Sequence, residues 1–246
     1  MCFCRYLHRN SYTPNPYDDF YTKSNTVRDQ FLTLKHPSEG YYMDRGSKFL
    51  AYAFPINSEA EASMALQKIR KDHPKARHFC TAFRLFHDPA IERSNDDGEP
   101  SGSAGKPILG QLIKNNITNV MIVVVRYFGG TKLGIPGLIE AYKTSAAKAI
   151  GSGIIIERKL FLKVRIHMSY ETLLPFLNHC RQSGIPILDE TYEERASFIL
   201  CFGKSEIEKE LMKTLHHYSK MDFKNLDDYV SHLGMIIEFL PGELII

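Results

Sequence analysis

Apolar positions along this chain change their period several times, and each change marks an element. Residues 49–54 are rich in aromatic and small apolar types, with Gly46 before them and Pro55 after, which predicts a strand. Ser58 and Glu61 form a capping box; the helix it opens places Ala62, Ala65, Leu66 and Ile69 on one face before Pro74 ends it. Residues 78–86 read as a second strand. Pro107 suits a first helical turn, and Ile108, Leu109, Leu112 and Ile113 then give a helical stripe. Residues 120–125 are apolar on both faces, as a central strand requires. Pro136 and Gly137 open a longer helix with Leu138, Ala141, Tyr142, Ser145 and Ala149 inward, closed by Gly151 and Gly153. Strands and helices thus alternate through residues 47–153, which predicts an α/β layer arrangement.

The texture changes near Lys159. Leu160, Leu162, Val164 and Ile166 alternate with Lys163, Arg165 and His167, a half-buried strand. A helix follows over residues 170–182, stopped by Gly184. Strands at 185–192 and 196–202 form a hairpin around Glu193 and Glu194, a helix covers 205–217, and residues 229–239 supply a final strand. The order β-α-β-β-α is that of a ferredoxin-like module. The predicted fold class is therefore α+β in two domains, 29–153 and 154–246. Residues 1–28 are polar, lack a sustained period and read as an extension without fold information.

Composition narrows the function classes. The 246 residues are 43% apolar and 24% charged, values of a globular protein rather than a fibrous or disordered one. No apolar run approaches the roughly 20 residues of a membrane span, and the first six residues lack the apolar core of a signal peptide, so a cytoplasmic protein without membrane contact is expected. Five scattered cysteines (Cys2, Cys4, Cys80, Cys180, Cys201) are not a disulfide framework. Cys2, Cys4 and His8 lack a second ligand pair at zinc spacing, and the other three sit in apolar contexts. A net charge of +3 permits nucleic-acid contact without demanding it.

Two glycine-rich, charged loops carry the chemistry. Residues 96–107 contain Asp96, Asp97, Glu99, Ser101, Gly102, Ser103, Gly105 and Lys106; residues 126–134 contain Arg126, Tyr127, Phe128, Gly129, Gly130 and Lys132. Each leads into a helix, whose first N–H groups and positive end favour an anion. Gly105-Lys106 is not a P-loop, because Pro100 replaces the first glycine and Pro107 the Ser or Thr that would hold magnesium. The second loop lacks the G-x-G-x-x-G spacing of a dinucleotide site. Ser101 and Ser103 lack a nucleophile elbow. Asp96, Asp97 and Glu99 are either an acid–base or metal cluster, or turn acids that favour the next helix. Arg126, Tyr127, Phe128 and Lys132 either stack a base and pair a phosphate, or the rings enter the core while Arg126 pairs with the first loop's acids. His78 is either a core histidine or part of the same cleft.

These residues are specific enough to carry a resemblance. Residues 96–109 and 123–134, with Asp44, residues 46–51, Ala76-Arg77-His78 and Arg93, resemble the IMPACT/YigZ family over residues 31–153. Residues 159–218 are similar to the small C-terminal domain of its bacterial branch. The resemblance implies a first domain like the second domain of a small-subunit ribosomal protein, and a second like domain V of elongation factor G. It also implies a link to translation. The eukaryotic branch regulates translation with an added N-terminal domain that finds no counterpart in the sequence, so that specific role is not carried over. Ser103 stands for a usual Thr and Pro136 for a usual Gly.

The expectation is a non-enzymatic protein without metal or cofactor, whose partner is RNA, the ribosome or a translation-related protein. Lys106, Arg126 and Lys132 would meet phosphate, amides around Gly102, Gly105, Gly129 and Gly130 would assist, and Tyr127 or Phe128 would stack. His78, Arg93, Asp96, Asp97, Glu99, Ser101 and Ser103 would be loop partners. Two other readings stand beside it: an enzyme or binding protein for a small phosphorylated ligand using Asp96, Asp97 and Glu99, and a protein-docking surface.

Overall fold

A computed structural model describes residues 29–87 and 89–245. The 1–28 extension, with Cys2, Cys4 and His8, lies outside the described residues. The rest forms two compact units: residues 30–161 with 243–245, and residue 29 with 162–242.

In the first unit the chain runs β1 (Gln30–Leu34), β2 (Ser38–Asp44), β3 (Ser47–Pro55), α1 (Glu59–Asp72), β4 (His78–Leu85), β5 (Ile91–Asn95), α2 (Gly105–Lys114), β6 (Val120–Tyr127), α3 (Gly134–Ser152) and the start of β7 (Ile155–Met168). Five strands form a sheet in the order β2-β3-β6-β4-β5, and every neighbouring pair is antiparallel. The layers arise as the alternation of elements predicts, but the strands are not parallel. β6 is apolar on both faces because helices cover both. Ile122 and Val124 pack with Phe49, Ala51, Ile108, Leu112, Leu138 and Ala141 beneath α2 and α3. Met121, Val123 and Val125 pack with Ala62, Ile69 and Phe79 beneath α1. Period-2 side-chain alternation thus sends successive β6 residues to two different cores.

Local signals explain most of these elements. The Ser58 hydroxyl accepts from the Glu61 N–H at 3.2 Å, and the Glu61 carboxylate reaches back to the Asn57 N–H at 2.9 Å. Arg45 and Gly46 both have positive φ (44° and 77°), the two-residue turn that joins β2 to β3. β1, β2 and β5 are strands the periodicity did not predict. In the α2 stripe, Ile108 and Leu112 are buried, whereas Ile113 is 47% exposed; the buried face continues through Gln111 instead. α3 lies so close to β2 at Gly40 that a Cβ there would fall 2.3 Å from the Ala149 nitrogen.

The second unit holds the rest of β7, then α4 (Tyr170–Gln182), β8 (Ile187–Tyr192), β9 (Ala196–Gly203), α5 (Ile207–Ser219), α6 (Leu226–Leu233) and all but the last three residues of β10 (Ile236–Ile245). β9 lies between β7 and β8, and β10 also pairs with β7. This follows the ferredoxin-like order with α6 added before the last strand. The final strand begins later than the sequence predicts. Tyr229 is buried inside α6, where its hydroxyl donates to the Met221 carbonyl at 3.0 Å. Cys180 and Cys201 are buried in this unit and Cys80 in the first, none of them disulfide-bonded. Among the described residues, no helix is long and apolar enough to cross a membrane.

Candidate functional site

Both glycine-rich loops gather at one end of the first unit's sheet, because Arg126 at the end of β6 pairs across strands with His78 and reaches Glu99 of the other loop. Asp96 organises the first loop. One carboxylate oxygen accepts from the N–H groups of Ala104 (3.0 Å) and Gly105 (2.8 Å), the other from Gly102 (2.8 Å). Desolvation acts to raise its pKa, but the three backbone donors and nearby Lys106 outweigh it, holding the carboxyl below the usual value. The positive start of α2 is therefore occupied by the chain's own anion.

Asp97 turns the backbone at φ 42° and divides its carboxylate between Arg70 (2.8 Å) and the Phe79 N–H (2.7 Å). Its carbonyl accepts from His78 Nδ1 at 2.9 Å, which fixes the donor nitrogen of that ring. Ser103 is buried and donates to the Pro100 carbonyl at 2.6 Å. Ser101 is exposed at the rim. Arg93 leaves the cluster and pairs with Glu59 at 3.7 Å.

Glu99 and Arg126 form a buried ion pair at 2.6 Å, with side chains only 4% and 8% exposed. The Tyr142 hydroxyl from α3 donates to the same Glu99 oxygen at 2.9 Å. Burial, then the neighbouring Cys80 and Glu99, push the Tyr142 hydroxyl far up. Burial likewise pushes the Cys80 thiol up, and the thiol donates to the Asp96 carbonyl at 3.0 Å. Both groups stay neutral at physiological pH, so neither offers an activated nucleophile. Asp96 and Asp97 meet internal donors at both carboxylate oxygens, and Glu99 meets two at a single oxygen.

The second loop splits its residues between faces. Tyr127 turns toward α1, where its hydroxyl meets His73 Nδ1 at 2.9 Å, and His73 Nε2 meets the Tyr52 hydroxyl at 2.8 Å. Phe128 stays outside and is 60% exposed. The Arg126 guanidinium lies 5.6 Å from the Phe128 ring centre and 5.5 Å from that of Phe49. Gly129 has no room for a side chain, since a Cβ would sit 1.9 Å from the Gly46 carbonyl carbon. Its N–H donates to the Ser47 hydroxyl at 3.1 Å. Gly130 takes a φ of 89°. Beyond it, α3 begins with no acidic residue in its first turn and no side-chain cap. Lys106 and Lys132 are exposed and form no ion pair among the described residues.

Of the residues singled out by sequence, Lys106, Phe128, Gly130 and Lys132 present themselves to solvent, while Arg126, Asp96, Asp97, Glu99 and Ser103 build the scaffold beneath. Sequence reasoning missed Arg70, Tyr142, His73 and Ser47 as partners. Tyr142 carried a signal, a phenol on the inward stripe of α3, which when buried needs a partner for its hydroxyl.

The Impact N-terminal domain profile matches residues 45–150. IMPACT family member YvyE of Bacillus subtilis (strain 168) is 36% identical over 168 residues, which cover 68% of this chain and 77% of the relative. An IMPACT family member of Haemophilus influenzae is 34% identical, covering 66% of this chain and 80% of its own. The crystal structure of a hypothetical protein aligns over 79% of this chain and 95% of its own at 25% identity, with a TM-score of 0.60. Matching over most of the length of two such relatives, and carrying the profile across the very loops described above, the chain belongs to the IMPACT family.

Proposed function

We propose that this protein is a cytoplasmic, non-enzymatic regulator associated with translation, and that it binds single-stranded RNA of the translation machinery through the outer rim of its two loops. The observation that carries the reading is Phe128. A phenyl ring 60% exposed at the end of the central strand, held over a buried guanidinium, is a preformed stacking platform. Lys106 of the first loop and Lys132 of the second supply exposed cations, and the uncapped start of α3 adds backbone donors. Family membership supports the link to translation. Arg126 has a positioning role here, since its charge is committed to Glu99.

The reading of Asp96, Asp97 and Glu99 as metal or proton-transfer groups finds less support, because each carboxylate already accepts two or three internal hydrogen bonds.

The test is fluorescence anisotropy of a labelled single-stranded RNA titrated at several salt concentrations. Removing both cations (Lys106→Ala with Lys132→Ala) should flatten the salt slope by about 1.4, at ~0.7 per phosphate contact on single strands. Phe128→Ala should weaken binding by about 1–3 kcal/mol. Unchanged affinity and slope in both variants would refute the surface. Retention of a protein partner after nuclease treatment, with no RNA binding, would favour docking to protein instead.

A further inference from the structure

At the far end of β6 from Phe128, an open cleft of about 250 Å³ lies within the first unit. Its floor is rigidly built around Asn119, which takes a φ of 55°. The Asn119 carbonyl accepts from the Ile56 N–H at 2.8 Å and the Thr33 hydroxyl at 3.2 Å. Its side-chain oxygen accepts from the Phe86 N–H at 2.7 Å, and its amide donates to Asn57 Oδ1 at 3.3 Å. That last bond leaves the Asn57 amide N–H group without a partner among the described residues. Phe31, stacked on Phe86 with ring centres 4.6 Å apart, forms an apolar wall with Pro55 and Ile245.

Two cations line this space. Arg158 stands directly opposite Phe31 in the β1–β7 pairing, and Lys35 follows the end of β1. Neither side chain makes a hydrogen bond or ion pair among the described residues, and no carboxylate among those residues lines the cleft. Two unpaired positive charges beside an apolar wall and a free amide donor are the complement of a dianion on an apolar stem.

We propose that this cleft binds a small organic phosphate monoester, its dianionic head between Lys35 and Arg158 and its body against Phe31, Pro55 and Ile245. A carboxylate would leave one cation unpaired. The volume falls below the roughly 300–1,000 Å³ of sites for drug-sized ligands, so the stem is one ring or a short chain. The site is independent of the RNA reading. It lies the length of β6 away from Phe128, about 23 Å at ~3.3 Å per residue.

Isothermal titration calorimetry on the full chain tests it, with phenyl phosphate, inorganic phosphate and benzoate as probes. Phenyl phosphate should bind at least about tenfold more tightly than either of the others. Lys35→Ala with Arg158→Ala should weaken it by a similar factor, and Arg158→Glu should abolish it. Both side chains lack internal bonds among the described residues, so the variants should keep the melting temperature of the parent. Absence of measurable heat with phenyl phosphate, equal binding of benzoate, or undiminished affinity in the double variant would overturn the proposal.

Discussion

A guanidinium and a carboxylate 2.6 Å apart with almost no access to water are worth most when both are present. Taking one away strands the other in a poorly solvated site. Arg126→Ala should therefore lower unfolding stability by about 3–5 kcal/mol, read as a shift of the urea midpoint. Glu99→Leu combined with Arg126→Met should lose less than that single change, because no lone charge remains. Sequence alone left Arg126 open between a phosphate contact and an internal pair. Nothing local could decide it, since Glu99 is 27 residues away and the second donor to Glu99, Tyr142, is 43 residues from it. The residue type announced a charge; only the fold assigned it a neighbour.

Among the elements, α2 depends on Asp96 for its start. Both carboxylate oxygens act as acceptors for three N–H groups, so an amide would turn a donor toward one of them. Asp96→Asn should cost about 1–2 kcal/mol near neutral pH. Because the folded carboxyl sits below its ordinary value, the unfolded chain takes up its proton first as pH falls. The contribution is thus complete above about pH 4 and lost as pH drops through the lower folded value. Urea unfolding at a series of acid pH values should show a shallower acid limb in Asp96→Asn than in the parent.

Elements with their own punctuation were legible: α4 matches its predicted span, bounded by Ser169 and Gly184. β2 was not, because Gly40 reads as a breaker, while its lack of a side chain is what lets α3 approach. Residues 229–239 misled because a short apolar run does not distinguish helix from strand. The Asn225 cap, which accepts from Asp228, and Gly234 at φ 61° were the overlooked punctuation.

At the scale of the whole molecule, the two proposed ligand surfaces occupy opposite ends of one stiff strand, with the first unit's cores between them. No residue is shared between them. Saturating phenyl phosphate should consequently leave RNA affinity unchanged within about twofold, well under the 1–3 kcal/mol typical of coupled sites. Anisotropy titrations with and without the phosphate would reveal any larger effect.

The placement of Arg126 and Tyr127 on opposite faces of β6 has a further consequence. A slip of the strand by one position would thrust the phenol into the compartment of Glu99 and strand the guanidinium beside His73. Each alternative would leave polar groups stranded on both sides at once. The otherwise featureless valine run before them could slide without much chemical complaint, so this adjacent pair acts as the ratchet that locks the central strand in a single alignment.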